Sequence, residues 1–157
     1  MQIKLLTVGK TDHPAIQQLI KEYEGRLAHY IRFELEVIPD LKNTKSISEL
    51  IQKEKEGDLI LKKIQSSDEL VLLDERGKSY GSVEFSELIQ KKMNSGLKQL
   101  IFVIGGPYGF SEAVYQRANA KISISKMTFS HQMIRPFFIE QLYRAFTILR
   151  NEPYHHE

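Results

Sequence analysis

Residues Ala120 to His156 read A-K-I-S-I-S-K-M-T-F-S-H-Q-M-I-R-P-F-F-I-E-Q-L-Y-R-A-F-T-I-L-R-N-E-P-Y-H-H. Ile122-Ser123-Ile124-Ser125 alternates apolar and polar, the period of a strand. It passes without a spacer into a mixed loop and then a long apolar helix. Pro136 suits a first helical turn and not an interior, so the regular helix is expected to start around Arg135–Pro136. Phe137, Phe138, Leu142, Ala145, Phe146 and Leu149 recur at spacings of three and four, while Ile139, Tyr143 and Thr147 form a second face. A helix apolar on two sides is buried on two sides. The second cover is either the chain's own core or a partner subunit. Beyond the helix breaker Pro153 stand Tyr154, His155 and His156, which read either as a ligand-facing tail or as a frayed end.

Upstream, strand and helix signals alternate. Ile3 to Val8 is β-rich and stops at the turn signal Gly9-Lys10. Asp12 is placed to cap a helix with Pro14 in its first turn, and Ile16, Leu19, Ile20, Tyr23 and Leu27 give that helix its apolar face. Phe33 to Ile38 alternates apolar and acidic as a half-buried strand ending at Pro39. A polar loop is expected over Asp40–Ser46. A Lys/Glu-rich helix follows from Ile47 to Ile64, its charges a solvated face and its Gly57 a weak point. Leu70–Leu73 and Leu100–Ile104 are continuous apolar runs, the mark of strands covered on both faces. The first is expected to end in a loop, Asp74-Glu75-Arg76-Gly77-Lys78; the second runs into Gly105-Gly106-Pro107-Tyr108-Gly109. Ser82 and Ser111 open further helices, the former ending near Gly96. This pattern predicts an α/β fold, a mainly parallel sheet with helices on both faces. Ligands in such sheets bind beyond the C-terminal ends of the strands, which singles out 74–78, 105–109 and 125–130.

The chain has 157 residues, 41% apolar and 27% charged, which suits a single domain over 1–157 with a real core. Its apolar runs fall far short of the roughly 20 residues that span a bilayer, and Met1-Gln2-Ile3-Lys4-Leu5 reads as a strand and not a secretory leader. No membrane association is expected. There is no cysteine. That excludes disulfides, thiolate catalysis and cysteine-ligated zinc, and it fits a reducing cytoplasm. A net charge of +2 is too small to argue for nucleic acid by itself.

The glycine loop 105–109 matches neither G-x-G-x-x-G nor the P-loop pattern, so it reads as a backbone-lined ligand turn or a plain tight turn. Ile124–Phe129 offers hydroxyls and main-chain groups suited to an adenine edge or an amino-acid group. His131, Arg135, His155 and His156 are the titratable candidates. Arg does not ligate metals, and adjacent histidines converge poorly on one ion, so no metal is expected.

Three stretches together resemble one family closely: Leu72-Leu73-Asp74-Glu75-Arg76-Gly77-Lys78, Phe102 to Phe110, and Ser125 to Met133 continuing through Glu140–Phe146 to Glu152-Pro153-Tyr154-His155. The chain resembles the bacterial SPOUT-type methyltransferases that modify N3 of a pseudouridine in large-subunit ribosomal RNA. The resemblance implies a C-terminal deep trefoil knot, a cytoplasmic homodimer, S-adenosylmethionine as cofactor and the ribosome as partner. It places the cofactor against Leu73, Gly105 and the run Ile124, Ser125, Lys126, Met127, Thr128 and Phe129. It gives Arg144, Tyr154 and His155 to the substrate side and catalysis, and leaves His131 and Arg135 to brace the knot. The family often has Pro at position 130 and an aliphatic residue at 136, where this chain has Ser130 and Pro136. A neutral imidazole, with an ordinary pKa of about 6.5, would accept the target's proton, or a cation such as Arg144 would stabilise the anion. The competing expectation is a non-catalytic RNA- or ribosome-binding protein that keeps the fold.

Overall fold

The computed structural model describes residues 1–42 and 44–156. In chain order the elements are β1 (Gln2–Val8), α1 (Pro14–Leu27), β2 (Arg32–Ile38), α2 (Glu49–Leu61), β3 (Glu69–Ser79), α3 (Ser82–Asn94), β4 (Gln99–Ile104), α4 (Glu112–Arg117), β5 (Ala120–Ser123) and α5 (Ile134–Leu149). Of the loop expected over Asp40–Ser46, Asn43 lies outside the described residues, and Thr44–Ser46 form a short 3-10 turn. Neighbouring strands all run parallel, in the order β2-β1-β4-β3-β5. The central strand β4 buries every residue from Leu100 to Ile104, as a strand covered on both faces must. Edge strand β2 keeps its acidic alternation, and Lys4 of β1 reaches Glu36 at 2.6 Å.

One face of the sheet is covered by α1, α3 and α5, the other by α2 and α4. The two aromatic rings at the centre of the first face, Phe102 and Phe138, lie 4.7 Å apart between centroids. Both stripes of α5 are used within the chain: Phe138, Leu142, Ala145 and Phe146 are buried, and so are Ile139 and Thr147. The second apolar face therefore meets α1 and α3 and calls for no partner. Among the exposed large apolar side chains, four gather around the start of α5: Met127, Phe129, Met133 and Phe137.

Three local expectations are corrected. The run Asp74–Lys78 is not a loop, because β3 continues through it to Ser79. Both Leu73 and Lys78 pair with Ile122, with a register shift between them, so this arm of β3 clasps β5. Polar sequence hid the extension, since its pairing partner lies more than forty residues away. Gly57 is a point of close approach and not a weakness: a Cβ there would stand 2.2 Å from the Ser111 hydroxyl oxygen. It lets α2 press against the first turn of α4, where the Ser111 hydroxyl accepts from the Val114 amide. The cap of α1 is His13 and not Asp12, the His13 side chain accepting from the Ala15 amide at 3.2 Å. Helix α5 begins at Ile134, about where Pro136 placed its start. Ser130 supports that start, its hydroxyl accepting from the Met133 amide at 3.2 Å and its carbonyl from the Ile134 amide at 3.1 Å. Pro136 then falls in the first turn, where a missing N–H costs no helical bond.

Candidate active site

Beyond the C-terminal ends of β4 and β5, and beside the Leu73–Arg76 stretch of β3, lies a cavity of about 540 Å³, within the range of small-molecule sites. Its walls come from the places the strand pattern singled out. Leu73, midway along β3, and Ile104, at the end of β4, form its floor, the Gly105–Gly109 loop forms one side, and Ile124 with Ser125 begins the other. The glycine loop folds back on itself: the Gly109 amide donates to the Gly106 carbonyl at 3.1 Å, and Gly109 takes φ +79°. At Gly105 a Cβ would stand 3.1 Å from the Phe110 ring and 3.3 Å from the Gly109 carbonyl oxygen. The backbone itself is therefore the wall.

Opposite, the Ser125 carbonyl accepts from the Ser123 hydroxyl at 2.8 Å, and the Ser125 side chain accepts from the Met127 amide at 2.9 Å. That double turn sends the chain away from β5 as a rim of Met127, Thr128 and Phe129. Thr128 ties the rim to the β3 arm by donating to Glu75 at 3.2 Å. Lys126 is exposed and is the one residue of the Ile124–Phe129 run that does not line the cavity.

The structure adds residues that motif reading missed. Asp74 accepts from the Tyr115 hydroxyl at 2.5 Å and from the Arg76 amide at 2.8 Å. Burial alone would push its carboxyl up, but these bonds and the nearby Arg76 guanidinium outweigh it and hold Asp74 below the usual carboxylate range. An ionised group thus stands in the cavity wall. Its signal in the sequence was only its place directly after an apolar run.

Arg144, Tyr154 and His155 are brought together, but not at this cavity. Glu140 is their centre, accepting from Arg144 at 2.5 Å and from the Tyr154 hydroxyl at 3.0 Å. Tyr154 also meets the Tyr23 hydroxyl at 3.2 Å, and the Arg144 guanidinium lies 4.8 Å over its ring. The His155 Nδ1 is 3.4 Å from Arg144. The tail is therefore packed on α1 and α5 and is not frayed. Burial, and then the bonds to Tyr23 and Glu140, push the Tyr154 phenol well above its ordinary value, so it stays protonated. It can donate a hydrogen bond but does not serve as a base near neutral pH.

Arg135 is wholly buried and braces the other side of the structure. Its guanidinium donates to the Val8 carbonyl at 2.8 Å, the Thr11 hydroxyl at 2.7 Å and the His131 carbonyl at 3.0 Å. His131 itself lines the cavity. Among the described residues, no group of three or more Asp, Glu or His is placed to hold a metal ion, and no helix is long and apolar enough to cross a membrane.

An all-parallel sheet covered by helices on both faces, with a backbone-walled cavity beside its strands, defines an α/β protein with a small-molecule site. The family described as "Predicted SPOUT methyltransferase" matches residues 1–155, and the chain belongs to that family. It is 65% identical over 157 residues, all of both chains, to the ribosomal RNA large subunit methyltransferase H of Flavobacterium johnsoniae. It is 68% identical over 156 residues, 99% of each chain, to the protein of that name in Christiangramia forsetii. Two solved structures share the fold at low identity. A probable methyltransferase from Bordetella pertussis has a TM-score of 0.56 at 11% identity, covering 92% of this chain and 96% of its own. A probable methylase family protein from Haemophilus influenzae has a TM-score of 0.54 at 13% identity, covering 99% of this chain and 70% of its own. SPOUT methyltransferases of this family use S-adenosylmethionine as methyl donor.

Proposed function

We propose that this protein transfers a methyl group from S-adenosylmethionine to N3 of a pseudouridine in large-subunit ribosomal RNA, in the cytoplasm and on assembled ribosomes. The observation that carries this reading is the cavity. It is built from Leu73, Gly105 and five of the six residues Ile124–Phe129 that the family resemblance gives to the cofactor. The wall fits such a ligand: close main-chain approach at Gly105, apolar contact from Leu73, Ile104 and Ile124, and a negative Asp74 suited to a cationic ligand. The bound cofactor supplies an activated sulfonium methyl, so the protein's task is alignment and control of the acceptor's proton.

The cavity and the Glu140–Arg144–Tyr154–His155 cluster share no residue within one chain. A homodimer resolves this by bringing one protomer's cluster to the other's cavity. Exposed Met127, Phe129, Met133 and Phe137, with the Phe129 and Phe137 rings 5.2 Å apart, supply an apolar surface beside the cavity for that contact. The β3 arm around β5 is where the family's trefoil knot would close. In the assembled site, Arg144 stabilises the anion left when N3 loses its proton, Tyr154 holds Glu140 and with it Arg144 in place, and the His155 imidazole is the group that accepts the proton. A binding-only role has no structural observation in its favour.

Transfer of labelled methyl to large ribosomal subunits, with and without pseudouridine, tests the reading. Transfer that needs pseudouridine supports it, and none to either particle sinks it. Deleting Tyr154–Glu157 is expected to lower methyl transfer by about 100-fold or more, the scale of losing a positioned acid–base group. Calorimetric affinity for S-adenosylmethionine should stay unchanged, and unchanged turnover would make the tail a bystander. Gly105→Trp is expected to weaken cofactor binding by about 100-fold or more, since an indole has no room between the wall and Phe110 and each tenfold is about 1.4 kcal/mol. The variant should remain folded in circular dichroism, and ordinary binding by it would remove the cavity from the mechanism.

A further inference from the structure

Helix α2 looks like a solvated Lys/Glu helix, yet Glu56 in its middle is only 3% exposed. Its Oε1 accepts from Gln52 at 2.8 Å, one turn back on the same helix. Its Oε2 is buried and has no hydrogen-bond partner among the described residues. That oxygen lies behind the cavity wall. A Cβ added to Gly106 would stand 2.3 Å from it, and 2.9 Å from the carboxyl carbon. The next residue, Gly57, fixes the height of α2 by its contact with Ser111. The pair Glu56-Gly57 thus docks α2 at both ends of the 106–111 segment, a carboxyl against Gly106 and bare backbone against Ser111.

We propose that Glu56 is a positioning residue of the cofactor site: its carboxyl fills the side-chain space left open at Gly106 and so sets the Gly105–Gly109 loop against the bound cofactor. The proposal rests on the cofactor reading of that cavity. Glu56 does not line the cavity itself and acts only through the loop. Its surroundings fit that role. Burial raises the carboxyl above its usual range; the Gln52 bond pulls it down, Asp40 pushes it up and cavity-lining His131 pulls it down. Burial is the largest of these effects and the net shift is upward; glutamine matches the carboxyl in size and shape. Filling a gap of this kind makes shape at residue 56 and residue 106 reciprocal: glycine at 106 leaves room for a side chain of this size, and that side chain backs the glycine.

The test is a double-mutant cycle with two readouts: affinity for S-adenosylmethionine by calorimetry, and hydrogen exchange of the residue 105–110 amides in the ligand-free protein. Gly106→Ala should weaken binding about tenfold, because the new methyl meets the carboxyl, and Glu56→Ala should weaken it several-fold. The double variant, with room restored, should bind roughly fivefold or more tighter than the product of the single effects, a coupling in the range found for contacting residues. Glu56→Gln should bind within about twofold of wild type, an isosteric swap that keeps the Gln52-side packing. Exchange in the loop should follow the same order: faster in both single variants, slower again in the double. Single effects that simply multiply, or a Gly106→Ala loop unchanged in exchange, overturn the proposal. If wild type binds no S-adenosylmethionine, the cofactor reading falls, and the exchange cycle alone decides whether Glu56 positions the loop.

Discussion

Gly77→Val is expected to leave the protein without its folded cavity. In the β3 arm, a Cβ at Gly77 would stand 2.6 Å from the backbone nitrogen and carbonyl carbon of Ile122 and 2.7 Å from the carbonyl carbon of Lys121. These are main-chain atoms of β5, held on that side by the pairing of Leu73 and Lys78 with Ile122 and of Ser79 with Ser123. No rotamer change relieves the contact, unlike a collision with the tip of a flexible side chain. Either the arm lifts or β5 leaves the sheet, and both dismantle the strand ends that wall the cavity. The cost belongs to the exceptional class above about 4–5 kcal/mol. Set against a whole-domain stability of roughly 5–15 kcal/mol, that removes most of the margin. Denaturant unfolding should show a collapsed midpoint or no cooperative transition, and cofactor binding should vanish. Gly25→Ala is the matched control. Gly25 is exposed in α1 with nothing within 4 Å of an added Cβ, so the change should stabilise by about 0.5–1 kcal/mol. A Gly77→Val protein that unfolds at the wild-type midpoint would show that the arm does not clasp β5 this closely.

The contrast between those glycines shows what the sequence could and could not tell. Apolar runs such as Leu100–Ile104 announced their place because burial on both faces of a parallel strand leaves a local trace, five consecutive apolar residues. The same logic located the cavity, since ligand sites in these sheets follow the strand ends. Nothing local marked Asp74–Ser79 as strand, because its pairing exists only once β5 has folded beside it. Glu56 was hidden for a related reason. In a Lys/Glu-rich helix a charged residue reads as solvent-facing, and only the glycine loop from another part of the chain turns that position inward. Gly57 read as a weak point of a helix and Gly77 as part of a loop, and both are contact points. What distinguishes them is a neighbour dozens of residues away. The separation of Arg144, Tyr154 and His155 from the cavity was equally illegible, since spacing along one helix and its tail places them together but not relative to β4 and β5.

Arg135→Met should produce the second large effect, and it separates bracing from packing. The guanidinium is fully buried and bridges three acceptors, Val8 at the end of β1, Thr11 beyond it and His131 at the exit of the 124–133 segment. Burial lowers the arginine's pKa, and Asp40 and Asp12 oppose that, so the charge persists without a carboxylate in direct contact. A methionine keeps much of the apolar stem but strands the Val8 and His131 carbonyls, at about 1–3 kcal/mol for each buried group left unsatisfied. The summed loss of roughly 2–6 kcal/mol would lower the melting temperature by about 4–24 °C at 2–4 °C per kcal/mol for a chain of this size. Arg135→Lys should recover only part of this, because one ammonium cannot reach three acceptors that a planar fork spans. The loss should be nearly independent of salt, since the group is shielded from mobile ions. Cofactor affinity should fall with stability, because Arg135 anchors the same segment that forms the cavity's second wall. The two hydrogen bonds between Asp12 and Gln132 that would still hold that segment near the start of α1 are both exposed. A lysine variant equal to wild type in melting temperature and binding would mean that charge alone, and not the fork of hydrogen bonds, joins β1 to the wall.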